Sequence, residues 1–176
     1  MKFLYRYITI SERLVEALGR FASWLTLLLV VIICGDVISR YLFNKSSVAI
    51  YELEWHVFSL IFLLGASYAF KHDRHVRVDV VYSRLSPKAQ AWINLVGTLI
   101  LLLPFCTILL IEGWDFVSNS YRLLESSADA GGLPARYIIK SAIPVGFLFV
   151  IIQAFSVVCK SILILMDRPL NPVDRG

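Results

Sequence analysis

Long stretches without a charged side chain alternate with short charged connections along this chain. Ala89–Ile111 runs 23 residues without Asp, Glu, Lys or Arg, Ser141–Cys159 runs 19, Trp55–Phe70 runs 16 and Phe21–Gly35 runs 15. As helix at 1.5 Å per residue the first covers ~34 Å and the second ~28 Å, against a hydrocarbon core of ~30 Å. The two shorter runs reach a spanning length by recruiting their flanks. The pattern predicts four transmembrane helices, at about residues 18–39, 50–70, 88–111 and 138–160.

The polar positions between the spans carry further signals. Ahead of the first span, Phe3, Leu4, Tyr7, Ile8, Leu14, Val15 and Leu18 recur at three- and four-residue spacing, with Lys2, Arg6, Glu12, Arg13 and Glu16 between them. This is the period of an amphipathic helix in the membrane interface, continuous with or hinged to the first span. A second, short amphipathic helix is expected over residues 71–86. Ser86-Pro87 offers an N-cap and a proline at the first helical position of the third span. The connection Glu112–Leu133 carries Glu112, Asp115, Glu125 and Asp129, and Ala130-Gly131-Gly132 reads as a turn.

Composition agrees with a membrane protein. Of 176 residues 58% are hydrophobic and 17% charged, whereas soluble domains are nearer half apolar and about a quarter charged. The expected fold is an all-α integral membrane protein forming a single membrane domain, residues 1–176. Four spans of ~22 residues use about half the chain, leaving no room for a cofactor or nucleotide domain. The net charge of +4 reflects topology and gives no reason to expect a nucleic-acid partner. Twelve of the 17 Lys and Arg residues lie in the N-terminal segment, the middle loop and the tail, and five in the other two loops. The orientation rule then places both termini in the cytoplasm. Cys34, Cys106 and Cys159 all fall inside spans and form no disulfide or metal pattern.

Several polar residues are candidates for chemistry. Asp36 lies in the first span, where an acid is a functional hypothesis by default. Arg40, one helical turn on, can pair with it. The readings are a structural ion pair, a partner contact or an ion-coupling acid. Glu52 and Glu54 open the second span and, two residues apart, point to different faces. They are interfacial carboxylates or partner contacts. His72-Asp73-Arg74-His75 lacks the further ligands of a metal site. Arg136 and Lys140 place positive charge against the orientation rule, either beside Glu125 or Asp129 or as a patch for an acidic surface. Pro144 is placed to kink the fourth span, and Gly65 with Ala69 is a small-residue pair that admits a neighbouring helix. No catalytic triad, P-loop or zinc motif is present, so neither an enzyme nor a cofactor is expected.

These residues resemble a known family. Arg40-Tyr41-Leu42-Phe43-Asn44, Tyr51-Glu52-Leu53-Glu54-Trp55 running into Phe62-Leu63-Leu64-Gly65-Ala66, and His75-Val76-Arg77-Val78-Asp79 resemble the small, DctQ-type permease subunit of TRAP (tripartite ATP-independent periplasmic) transporters. Ala130-Gly131-Gly132-Leu133, Lys140 and Ile143-Pro144-Val145-Gly146-Phe147 look like its mannitol/chloroaromatic branch. Tyr51 departs from the pattern, standing where many members have an acid. The resemblance implies a bacterial inner-membrane subunit that braces a large permease and helps dock a periplasmic substrate-binding protein for organic-acid uptake. Sodium coupling would reside in the large subunit. It marks Asp36, Arg40, Glu52, Glu54, His75, Asp79, Arg136, Lys140 and Pro144 as partner-contact or structural positions. The competing reading is a small four-helix exporter, proton-coupled through Asp36.

Overall fold

In a computed structural model the protein is described over residues 2–72, 82 and 84–168. Those residues form helices and connections, without strands. Four helices are long and apolar enough to cross a membrane: α1 Lys2–Phe43, α2 Val48–Lys71, α3 Pro87–Arg122 and α4 Tyr137–Leu165. Helices are the outcome that lipid demands, because backbone N–H and C=O groups find no water in the hydrocarbon and must pair within the segment. His75, Asp79 and, but for its edges, the short helix expected over residues 71–86 lie outside the described residues.

Helix α1 is unbroken for 42 residues, ~63 Å of helix or about twice the hydrocarbon core. Its buried positions Ile8, Ser11, Val15, Gly19 and Ala22 fall on one stripe at three- and four-residue intervals. Beyond Ala22 the only residue of α1 that is buried is Asp36. The N-terminal half therefore packs on the protein, whereas the apolar C-terminal half presents Trp24, Leu27, Val31, Ile38 and Leu42 outward.

Helix α3 starts as its sequence dictates. The Ser86 hydroxyl accepts the Ala89 N–H at 3.3 Å, and Pro87 occupies the first turn, where a missing N–H costs nothing. Pro104 has a different consequence. Its ring would meet the carbonyl of Ile100 in a regular helix, and residues Thr98–Leu102 open into a π-helical turn, with the Leu103 N–H reaching back to the Thr98 carbonyl. Pro144 has no N–H to give the Lys140 carbonyl, and α4 is interrupted at Ser141 between Tyr137–Lys140 and Ala142–Leu165 without a π-helical turn.

The helices do not close into a symmetrical four-helix bundle. Helix α4 packs on all three others and α1 packs on α2, but α2 and α3 have no extended contact among the described residues. Close approach is set by glycine. A Cβ at Gly146 would lie 3.0 Å from both the Cβ and the carbonyl oxygen of Leu63, one at Gly113 would lie 3.3 Å from Ile143 and Pro144, and one at Gly19 would overlap the ring of Tyr68 at its Cδ2. Gly65, half of the small-residue pair in α2, has nothing within 4 Å of such an atom. The crossings inside the chain therefore use other glycines.

Candidate functional site

The densest polar arrangement sits where α2 begins and α3 connects to α4. Glu52 is in the second turn of α2, on the face turned to α4, and is 2% exposed. Its carboxylate accepts from the Ser127 hydroxyl at 2.5 Å, the Leu133 backbone N–H at 2.6 Å and the Arg136 guanidinium at 2.7 Å. Three donors from one connection and the start of α4 thus converge on one buried acid, the condition under which a carboxylate is tolerated away from water.

The connection is shaped to deliver those donors. Gly131, at φ 80°, forms a turn closed by the Gly132 N–H donating to the Asp129 carbonyl at 3.1 Å. Two further backbone bonds fold the segment back on itself: Ser127 N–H to Leu133 carbonyl at 3.1 Å and Arg136 N–H to Glu125 carbonyl at 2.8 Å. Leu124 and Ala135, at φ 46° and 58°, take left-handed conformations that cost L-residues energy and persist only where surroundings hold them. Gly132 is required for packing, since a Cβ there would overlap Ser127 and stand 2.8 Å from the Glu52 carboxylate.

Two more cation contacts flank this centre. Arg136 lies over the Trp55 ring, 5.7 Å from its centroid. Lys140 pairs with Glu125 and sits 4.0 Å over the Phe116 ring. The Lys140 ammonium holds the Glu125 carboxyl below its ordinary pKa. The charge that runs against the orientation rule at Arg136 and Lys140 is therefore matched inside the chain, by Glu52 and Glu125 and not by Asp129. Between α2, α3 and α4, Trp55, Phe116, Arg136 and Lys140 border an apolar groove of about 400 Å³ with Phe58 and Phe62.

The remaining candidates are dispersed. Asp36, 4% exposed, pairs with Arg40 within α1. Glu54 faces away from Glu52, and its Oε1 is buried without a hydrogen-bond partner. His56 stacks on Trp55 and its Nδ1 lies against the Glu52 carbonyl. Pro144 is buried against Gly113. Among the described residues no three His, Cys, Asp or Glu side chains are grouped to hold a metal.

A second polar junction, at the opposite end of α2, was not visible in the sequence. Glu16 pairs with Lys71 at 2.5 Å and with His72 at 3.3 Å. The Lys71 ammonium also donates to the Glu12 carbonyl at 3.2 Å, and Lys160 pairs with Glu12. Tyr7 donates to the Ile152 carbonyl at 2.9 Å, and Lys88 meets Asp167 at 2.8 Å. The only sequence signal was that Glu12 and Glu16 share the polar face of an amphipathic helix. Their partners on α2 and α4 have no local spacing to betray them.

The fold and its polar junctions define a multi-helix membrane protein whose buried charges tie its own helices together. Comparison with known proteins makes the class specific. Residues 29–163 match the family model "Tripartite ATP-independent periplasmic transporters, DctQ component". The chain is also 30% identical over 123 residues to a Haemophilus influenzae (strain ATCC 51907 / DSM 11121 / KW20 / Rd) protein named "Putative TRAP transporter small permease protein", covering 69% of this chain and 73% of that relative. The chain belongs to the DctQ family of TRAP small permease components, a transporter family and not an enzyme family.

Proposed function

We propose that this chain is the small membrane subunit of a sodium-coupled, binding-protein-dependent transporter for organic acids. It braces a large permease subunit and helps dock a periplasmic substrate-binding protein. The family match over residues 29–163 carries this reading. The structure adds a physical rationale: the buried acids Asp36 and Glu52 are matched by cations of the same chain, while broad apolar faces of α1 and α3 are left outward. A brace needs such a combination, stiff within and adhesive without. It sits in the inner membrane with both termini cytoplasmic, as the distribution of Lys and Arg favours. The N-terminal turns of α1 then lie at the cytoplasmic interface, and the Glu52-held connection is presented to the periplasm.

The exporter reading rests on Asp36, which is engaged by Arg40 within α1. The test is reconstitution in vesicles under an inward sodium gradient with loaded binding protein. The chain alone should give no uptake, and uptake should appear with the large permease and depend on sodium. Proton-driven export by the purified chain alone, lost in Asp36→Asn, would refute the proposal.

A further inference from the structure

Most acids within the described helices have a cation beside them: Glu12 has Lys160, Glu16 has Lys71, Asp36 has Arg40 and Glu52 has Arg136. Glu112 and Asp115, near the end of α3, are exposed. Glu54 belongs to neither group. It is half-buried, its Oε1 is shut off from solvent, and no donor reaches that oxygen. It lines a groove of about 230 Å³ between α1 and α2, whose other walls are Leu29, Ile33, Tyr51, Trp55 and Phe58. Apart from Glu54, the Tyr51 hydroxyl and the Trp55 indole N–H, these walls are apolar. Ile33, Tyr51 and Phe58 are 40%, 64% and 59% exposed, so the groove opens on the outer face of the molecule. Arg40, one turn beyond Asp36 on α1, is already engaged by that residue.

A carboxylate oxygen without a donor in apolar surroundings is expensive, and such groups in membrane helices pair with an opposite charge. This chain supplies no such charge at Glu54 among the described residues. We infer that the α1–α2 groove receives a basic side chain from a transmembrane helix of the large permease, with Glu54 as its ion-pair acceptor. Charge complementarity selects this occupant. A lipid tail would fill the apolar walls and bring the Glu54 carboxylate no counter-charge, whereas an arginine or lysine lays its methylenes on Ile33 and Phe58 and brings its charged head to the exposed side of that carboxylate. The inference rests on the proposed role as a brace and names where that brace grips.

The experiment co-expresses the tagged chain with its large permease and measures how much permease is retained on purification. Glu54→Lys should lower retention about ten-fold or more, since it sets two cations against each other in a poorly solvated groove. Glu54→Gln should lower it less, and Glu54→Asp should restore most of it. The unfolding midpoint of the isolated chain should be unchanged in Glu54→Lys, which separates lost contact from lost folding. A photo-crosslinking residue at Phe58 should label a permease peptide containing Arg or Lys. Wild-type retention by Glu54→Lys, or adducts at Phe58 to lipid alone, would overturn the inference and leave the brace intact. Failure of the wild-type chain to hold the permease at all would overturn both.

Discussion

Replacing Gly146 by leucine tests whether the α2–α4 crossing is set by backbone contact. A Cβ at Gly146 would stand 3.0 Å from the Leu63 Cβ and 3.0 Å from its carbonyl oxygen, closer than carbon atoms pack without strain. The Leu63 carbonyl belongs to a helix backbone and cannot rotate away. Leucine also adds three carbons beyond Cβ at a position that is buried, so α4 must slide or tilt away from α2. Overpacking of this kind costs about 1–3 kcal/mol. Against it runs the gain from removing a helical glycine, at most about 1 kcal/mol. Gly65→Leu isolates that second effect, because nothing lies within 4 Å of a Cβ there. The assay is equilibrium unfolding of the isolated chain in mixed micelles, read by tryptophan fluorescence. Gly146→Leu should lower the midpoint, while Gly65→Leu should leave it level or raise it. A wild-type midpoint for Gly146→Leu, or an equal loss for Gly65→Leu, would refute the packing argument.

Two further predictions concern the ion pairs. Arg40→Ala strands the buried Asp36 carboxylate, so the double variant Asp36→Ala/Arg40→Ala should be milder than the sum of the single changes, with a coupling of about 0.5–1 kcal/mol because Arg40 is half in solvent; additive losses in the same unfolding assay would mean that the two do not act as a pair. Because Lys140 holds the Glu125 carboxyl below its ordinary pKa, the attachment it gives the α3–α4 connection is complete above the unfolded carboxylate value and is lost as pH falls through the lower folded value. Limited proteolysis at Ala130-Gly131 should therefore accelerate on acidification, and Glu125→Gln should start faster and respond less to pH; identical pH profiles for the two proteins would refute this.

Features that act within one helical turn, or along one uninterrupted run, could be read from the residues alone. Charge-free runs long enough to span hydrocarbon can satisfy their backbone only as helices, so four spans were legible from the alternation of apolar and charged stretches. Ser86-Pro87 could be read as a helix start and Asp36–Arg40 as a possible pair, because both work within one helical turn. Which groups meet across helices emerged only with the fold. Glu52 finds Ser127, Leu133 and Arg136 at separations of 75, 81 and 84 residues. No spacing rule reaches so far. Nor did composition show that α4 would hold the other three helices while α2 and α3 make no extended contact among the described residues, or that Gly146 and not Gly65 would mark a close crossing. The physical reason is the solvent. In water a helix turns its one apolar stripe inward and so announces its rotation, but a helix in lipid is apolar on nearly every side. Its rotation and register are then set by close packing and by a few buried polar groups, and these exist as contacts only once the helices are side by side.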